Sequence, residues 1–184
     1  MSPLVLSTRA LKVVNQAIHL FHQHGFHLVG VDRIVKESEI TKMTFYHYFQ
    51  SKARFIEICL LVQKERLQDK IIAMVEYDYN SSVTDKLKTL YDLHTDLEGL
   101  YYLLFKAIFE TKNTYSNAYQ VALKYRTWIT NEIYSQLSVL KADASFHDAK
   151  LLLHIIEGTI IQRLSHNDVD ERDKQFEYFI AMFS

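Results

Sequence analysis

A chain of 184 residues with 48% hydrophobic content and a formal net charge of -1 is long enough to bury its own core without a crosslink. Its single cysteine, Cys59, excludes an internal disulfide, and its neighbours Phe55, Ile58 and Val62 mark it as a small buried hydrophobe suited to a reducing compartment. No charged leader precedes an apolar run, and no apolar run reaches membrane-spanning length, which predicts a soluble cytoplasmic chain with no membrane partner.

Four glycines and one proline punctuate a sequence whose apolar residues recur at three and four, so the predicted fold class is all-α. Ala10, Val14, Ala17, Ile18 and Phe21 share one stripe of a first helix, from Thr8 to His22 or His24, which ends at Gly25. A short helix follows over Val31 to Ser38, with Ile34 and Val35 inward. Thr41 caps a third helix through its hydroxyl, and Ser51 caps a long fourth from Lys52 to about Val75. Beyond a loop at Tyr79 to Ser82, helices are predicted over Thr84 to Leu97, Tyr101 to Glu110, Ser116 to Ser138, Phe146 to Leu164 and Asp170 to Phe183. Gly99 interrupts the path, and the polar run LKADAS separates two of these helices.

The charge is unevenly spread. Residues 1–54 hold seven Lys/Arg against three Asp/Glu, and residues 55–184 hold fourteen against nineteen. The basic front contains two short helices joined by a tight connection, the dimensions of a helix-turn-helix whose second member enters a DNA major groove. On that second helix Phe45 and Phe49 lie one turn apart as anchors, while Thr41, Lys42, Thr44 and His47 fall on the other side. Lys52 stands where a phosphate beside the recognition helix would lie. A capped helical hairpin with aromatic anchors also occurs without any nucleic acid, so this pattern alone leaves a non-DNA-binding module open.

Gly25-Phe26, Val31, Ile34-Val35, Ile40-Thr41, Thr44-Phe45-Tyr46-His47-Tyr48-Phe49 and Ser51-Lys52, followed by Phe55, resemble the N-terminal signature of TetR-family transcriptional regulators over about residues 8–58. The resemblance implies an all-helical homodimer with a three-helix DNA-binding domain (1–51) and a larger helical effector-binding and dimerisation domain (52–184), the helix from Lys52 carrying movement between them. It implies double-stranded DNA contacts from Arg33, Thr41, Lys42, Met43, Thr44, Tyr46, His47, Tyr48 and Lys52. Thr41, Lys42, Thr44 and His47 fall to the bases or nearby backbone, and Tyr46, Tyr48, Lys52 and Arg33 to phosphates. Three positions depart from the family pattern: Gly30 replaces a capping hydroxyl, Glu39 a turn glycine and Met43 a small residue.

Past residue 60 the sequence carries no signature of a named ligand. Tyr91, His94, Tyr101, Tyr102, Phe105, Phe109 and Trp128 combine apolar surface with polar handles and, with His154, form a candidate pocket for a small, partly apolar effector. The same side chains also suit a packed core. In LLLHIIEGTIIQRL, Gly158 permits close helix approach beside Ile155, Ile161 and Gln162, a candidate dimer interface, with Tyr125, Trp128, Ile129, Ile133 and Leu137 as the neighbouring helix of a four-helix bundle. No cofactor, metal or catalytic set is expected: the imidazoles of His22, His24 and His27 lack companion carboxylates or thiols, and His154 with Glu157 reads more simply as a hydrogen-bonding pair. Ligand-responsive transcriptional repression is therefore the leading function, with a helical small-molecule-binding protein or an enzyme as alternatives.

Overall fold

The computed structural model describes residues 6–165 and 169–183. All their regular structure is helical: α1 Thr8–Leu28, α2 Val31–Glu37, α3 Lys42–Phe49, α4 Lys52–Tyr77, α5 Val83–Thr95, α6 Leu100–Glu110, α7 Ser116–Leu140, α8 Phe146–Ser165 and α9 Val169–Ile180, then a 3-10 turn over Ala181–Phe183. The chain forms two compact units, one of Met1–Gln63 with Leu103–Ala122, the other of Lys64–Tyr102 with Leu123–Ser184. Among the described residues no helix is long and apolar enough to cross a membrane.

The first unit is held by phenylalanines. The inward stripe of α1, Ala10, Val13, Val14, Ala17 and Phe21, is buried, as are Phe26, Phe45, Phe49 and Phe55. Phe55 of α4 is the hub, its ring centroid 4.4 Å from Phe49, 4.9 Å from Phe45 and 6.3 Å from Phe21. Such tilted and edge-on pairs contribute beyond their buried area. Cys59 is fully buried one turn further along α4, and burial pushes its thiol up, so it is a packing residue.

The first helix runs three residues beyond its expected end at Gly25. Gly25 has φ 79 and ψ 167, a break that redirects the chain before a last turn carrying Phe26 and His27. The side chain of Glu110, at the end of α6, accepts a 2.7 Å hydrogen bond from the Phe26 amide freed by this break.

In the second unit α5 opens with a reciprocal cap, Ser82 bonding the Asp85 amide and Asp85 the Ser82 amide. Leu87, Leu90 and Tyr91 of α5 pack inward with Leu152 and Ile156 of α8 and with Phe176 and Phe179 of α9. Tyr125, Ile129, Ile133 and Leu137 of α7, expected to meet a symmetry mate, are instead fully buried in this unit's own core. Their spacing of four describes an inward stripe, a pattern that periodicity alone cannot tell from a partner-facing one.

A β-carbon at Gly25 would stand 2.7 Å from a Glu110 carboxylate oxygen and would hold a side chain at positive φ. Gly25→Ala should therefore lower unfolding stability by about 1–3 kcal/mol in urea titration. An unchanged midpoint would contradict this account of the break.

Candidate nucleic-acid interface

The α2–turn–α3 hairpin is built from backbone bonds. At the end of α2 the Ile40 amide bonds the Val35 carbonyl at 3.0 Å and the Glu39 amide the Lys36 carbonyl at 3.3 Å, a Schellman closure that requires a left-handed residue at 39. Glu39 supplies it with φ 53, the strained backbone expected where the family has glycine. Gly30 precedes α2 with no side-chain cap. Thr41 caps α3, its hydroxyl oxygen accepting from the Thr44 amide at 3.1 Å and lying 2.9 Å from the Thr44 hydroxyl. The helix ends at Gln50, where φ 65 and ψ -45 with a 2.7 Å bond from the Ser51 amide to the Phe49 carbonyl form a tight γ-turn. That turn brings Ser51 into place to cap α4 through the Arg54 amide at 3.1 Å.

Between these two stops α3 presents two faces. Phe45 and Phe49 are fully buried, whereas Thr41, Lys42, Met43, Tyr46 and His47 are exposed and Thr44 and Tyr48 half-buried. Met43 is 82% exposed, an apolar side chain standing free among polar ones. The cations are not all free. Lys42 pairs with Asp32 at 2.5 Å, Arg33 bonds Glu37 at 3.3 Å and His24 at 2.9 Å, and the Lys52 ammonium lies 3.5 Å from the His27 carbonyl and 5.7 Å from the centre of the Tyr115 ring. The Asp32 hydrogen bond raises the affinity of Lys42 for its proton. His27 stacks on Tyr115 and bonds the Glu110 carbonyl at 2.6 Å, so Glu110 and Tyr115 position Lys52 from about sixty residues away in sequence. Nothing local in the sequence signals either residue.

The candidate effector residues divide. Tyr91, His94 and Tyr101 are fully buried in the second unit, Tyr102 and Trp128 are half-buried there, and His154 is exposed. Phe105 is buried in the first unit, and Phe109, packed edge-on against it, is 67% exposed. His94 is the centre of a polar cluster. Its Nδ1 donates to the Leu90 carbonyl at 2.7 Å, which leaves Nε2 to accept from the Tyr125 hydroxyl at 2.6 Å, and Tyr101 packs on its ring at 4.6 Å. The Tyr101 hydroxyl donates to Glu157 at 3.2 Å, and Arg126 donates to the other oxygen of that carboxylate at 2.8 Å. Burial pushes the Glu157 carboxyl up against the pull of Arg126. Glu157 thus bonds Tyr101 and Arg126 rather than His154. On α8 Ile161 is 54% exposed and Gly158 exposed, Ile155 and Gln162 are half-buried, and among the described residues nothing beyond the helix's own backbone lies within 4 Å of a β-carbon at Gly158. Among the described residues no group of three or more His, Cys, Asp or Glu side chains is placed to hold a metal ion.

Residues 13–57 match the family described as bacterial regulatory proteins, tetR family. The chain is similar to IcaR of Staphylococcus aureus, a negative transcriptional regulator of the biofilm operon icaADBC, with 25% identity over 139 residues, 76% of this chain and 67% of the relative. Its fold is that of a TetR transcriptional regulator from Legionella pneumophila, with TM-score 0.84 and 13% identity across 98% of this chain and 100% of the other. The transcriptional regulator FadR from Bacillus subtilis, solved in complex with stearoyl-CoA, has the same fold at TM-score 0.70 and 15% identity, over 94% of this chain and 96% of that one.

The His94 contacts make stability depend on pH. Burial lowers the His94 pKa from 6.5 to about 4, so between these values the unfolded chain binds a proton that the folded chain refuses. Stability should fall as pH drops from about 6.5 to about 4, by on the order of 3 kcal/mol in total. Urea titrations across that window should give a shallower pH slope for His94→Gln, and parallel slopes would refute the assignment.

Proposed function

We propose that this chain, whose residues 13–57 match the tetR family of bacterial regulatory proteins, is a DNA-binding repressor that a small, partly apolar effector releases from a pseudo-palindromic operator. The observation that carries the reading is α3 itself, a helix capped at Thr41 and stopped at Gln50, with Phe45 and Phe49 buried and Thr41, Thr44 and His47 turned outward. Residues 1–51 act as the reader and residues 52–184 as the effector-binding and dimerising body. The function is binding rather than catalysis, in the cytoplasm.

In this reading Thr44 and His47 meet base edges, with Met43 available to a thymine methyl group. Tyr46, Tyr48, Arg33 and Lys52 position phosphates, and Lys42 exchanges its Asp32 partner for the duplex. The sign of regulation follows IcaR, a negative regulator, and the effector class follows the acyl-CoA complex of FadR, both carried over by likeness. An effector shifts the equilibrium only through unequal affinity for the two arrangements of the body.

Selection from randomised duplexes tests the reading. The wild-type protein should enrich a two-fold symmetric sequence, and Thr44→Ala with His47→Ala should change the preferred bases. Lys52→Ala should weaken binding to all duplexes alike and reduce the salt slope by about one per subunit. A wild-type protein with no duplex preference and no salt-dependent binding would leave only a helical ligand-binding module.

The stripe of exposed Gly158 and Ile161, flanked by the half-buried Ile155 and Gln162, supports a homodimer through α8. Ile161→Asp places a charge on that stripe without touching the core. Sedimentation should show a dimer for the wild type and a monomer for the variant at micromolar concentration. A variant that remained dimeric would move the interface elsewhere.

A further inference from the structure

Beside the buried cluster, α7 and α8 border a groove of about 330 Å³ in the second unit. Leu123, Arg126 and Thr130 line it from α7, and Phe146, Lys150 and His154 from α8, each set spaced at three to four and so on one helical face. Three basic side chains therefore converge on a partly apolar trough. The Lys150 ammonium lies 5.2 Å from the centre of the Phe146 ring, which keeps it at the groove wall.

Arg126 is the unusual member. One terminal nitrogen donates to Glu157, but its Nε is buried and has no hydrogen-bond partner among the described residues. A buried guanidinium N–H without an acceptor is rare because it has lost water and gained nothing. The Glu157 carboxylate accepts from Arg126 Nη2 and from the Tyr101 hydroxyl, and neither of its oxygens accepts from Nε. An unsatisfied guanidinium N–H thus lies buried in the wall of the groove, which two further basic side chains and the apolar Leu123, Phe146 and Leu153 also line.

We propose that this groove binds a small amphipathic carboxylate, its headgroup accepting from Arg126 Nε between Lys150 and His154 and its hydrocarbon or aryl part lying on Leu123 and Phe146. The planar guanidinium suits the two coplanar oxygens of a carboxylate. As an effector site the groove rests on the regulator reading; as a binding site it does not. A carboxylate here competes with Glu157 for the same guanidinium and so loosens the link from Arg126 through Glu157 to Tyr101 and the buried His94.

The test is calorimetric titration of the full chain, without DNA, using hexanoate and 4-phenylbutyrate, each beside its primary amide, up to about 10 mM, the range expected for ligands of this size. The acids should bind at one site per chain, and the amides about tenfold or more weaker. Lys150→Gln combined with His154→Gln changes two exposed side chains, so the fold is retained; it should weaken the acids about tenfold and leave the amides unchanged. Arg126→Lys, which keeps a cation against Glu157 but removes Nε, should weaken the acids as well. Equal binding of acid and amide, undiminished binding by the variants, or no binding of either acid would overturn the proposal. A wild type that binds the acids yet selects no duplex would remove the regulator reading and leave the groove standing.

Discussion

The hub at Phe55 is the constraint on which the outward face of α3 depends. Phe45 packs edge-on and Phe49 at a tilt against it from α3, and Phe21 approaches it from α1, so the rotation of α3 about its own axis is set by buried aromatic packing, with the exposed Lys42–Asp32 pair at its rim. Because those two positions share one side of the helix, burying them turns Thr44 and His47 outward with no further interaction needed. An eight-residue helix has little stability in isolation. The side chains that face solvent here are therefore free to be chosen for recognition, since the phenylalanines, the Thr41 cap and the turn at Gln50 already define the helix.

Electrostatics within the first unit follow from a second, longer-range contact. Glu110 uses its side chain to hold the Phe26 amide and its backbone carbonyl to hold His27, which in turn stacks on Tyr115 beneath the Lys52 ammonium. A lysine carries large rotamer freedom, and confining it against an aromatic face and a carbonyl removes part of that freedom. The break at Gly25 is what frees the Phe26 amide for Glu110, so a backbone conformation in α1 and the placement of a cation on α4 have one origin.

Much of this was legible in the sequence because it is local. The caps at Thr41 and Ser51, the inward pair Phe45 and Phe49, and the sparse glycine and proline that set helix lengths are signals of a few residues' span, although Gly25 marks a break inside α1 and not its expected end. The uncapped start of α2 at Gly30 and the strained Glu39 were legible for the same reason. What sequence could not yield depends on distant partners. The Asp32 contact of Lys42, the Glu110 support and the Arg126–Glu157–Tyr101 chain join residues that no periodicity relates. The stripe of Tyr125, Ile129, Ile133 and Leu137 shows the opposite failure, a correct period whose direction only packing decides. Phe109, among the candidate pocket aromatics yet largely exposed, is a similar case.

The shortness of α3 has a consequence for information. Eight helical residues extend about 12 Å, the rise of three or four base pairs. Four fully specified base pairs distinguish about 256 sequences, so among about a million competing genomic positions such a word recurs by chance roughly four thousand times. Two copies of the word at fixed spacing specify eight base pairs, about 65,000 sequences, and chance occurrences fall to roughly fifteen. The γ-turn at Gln50, by halting the helix after two turns, limits what a single copy of α3 can specify, and in the proposed homodimer two copies would share the address.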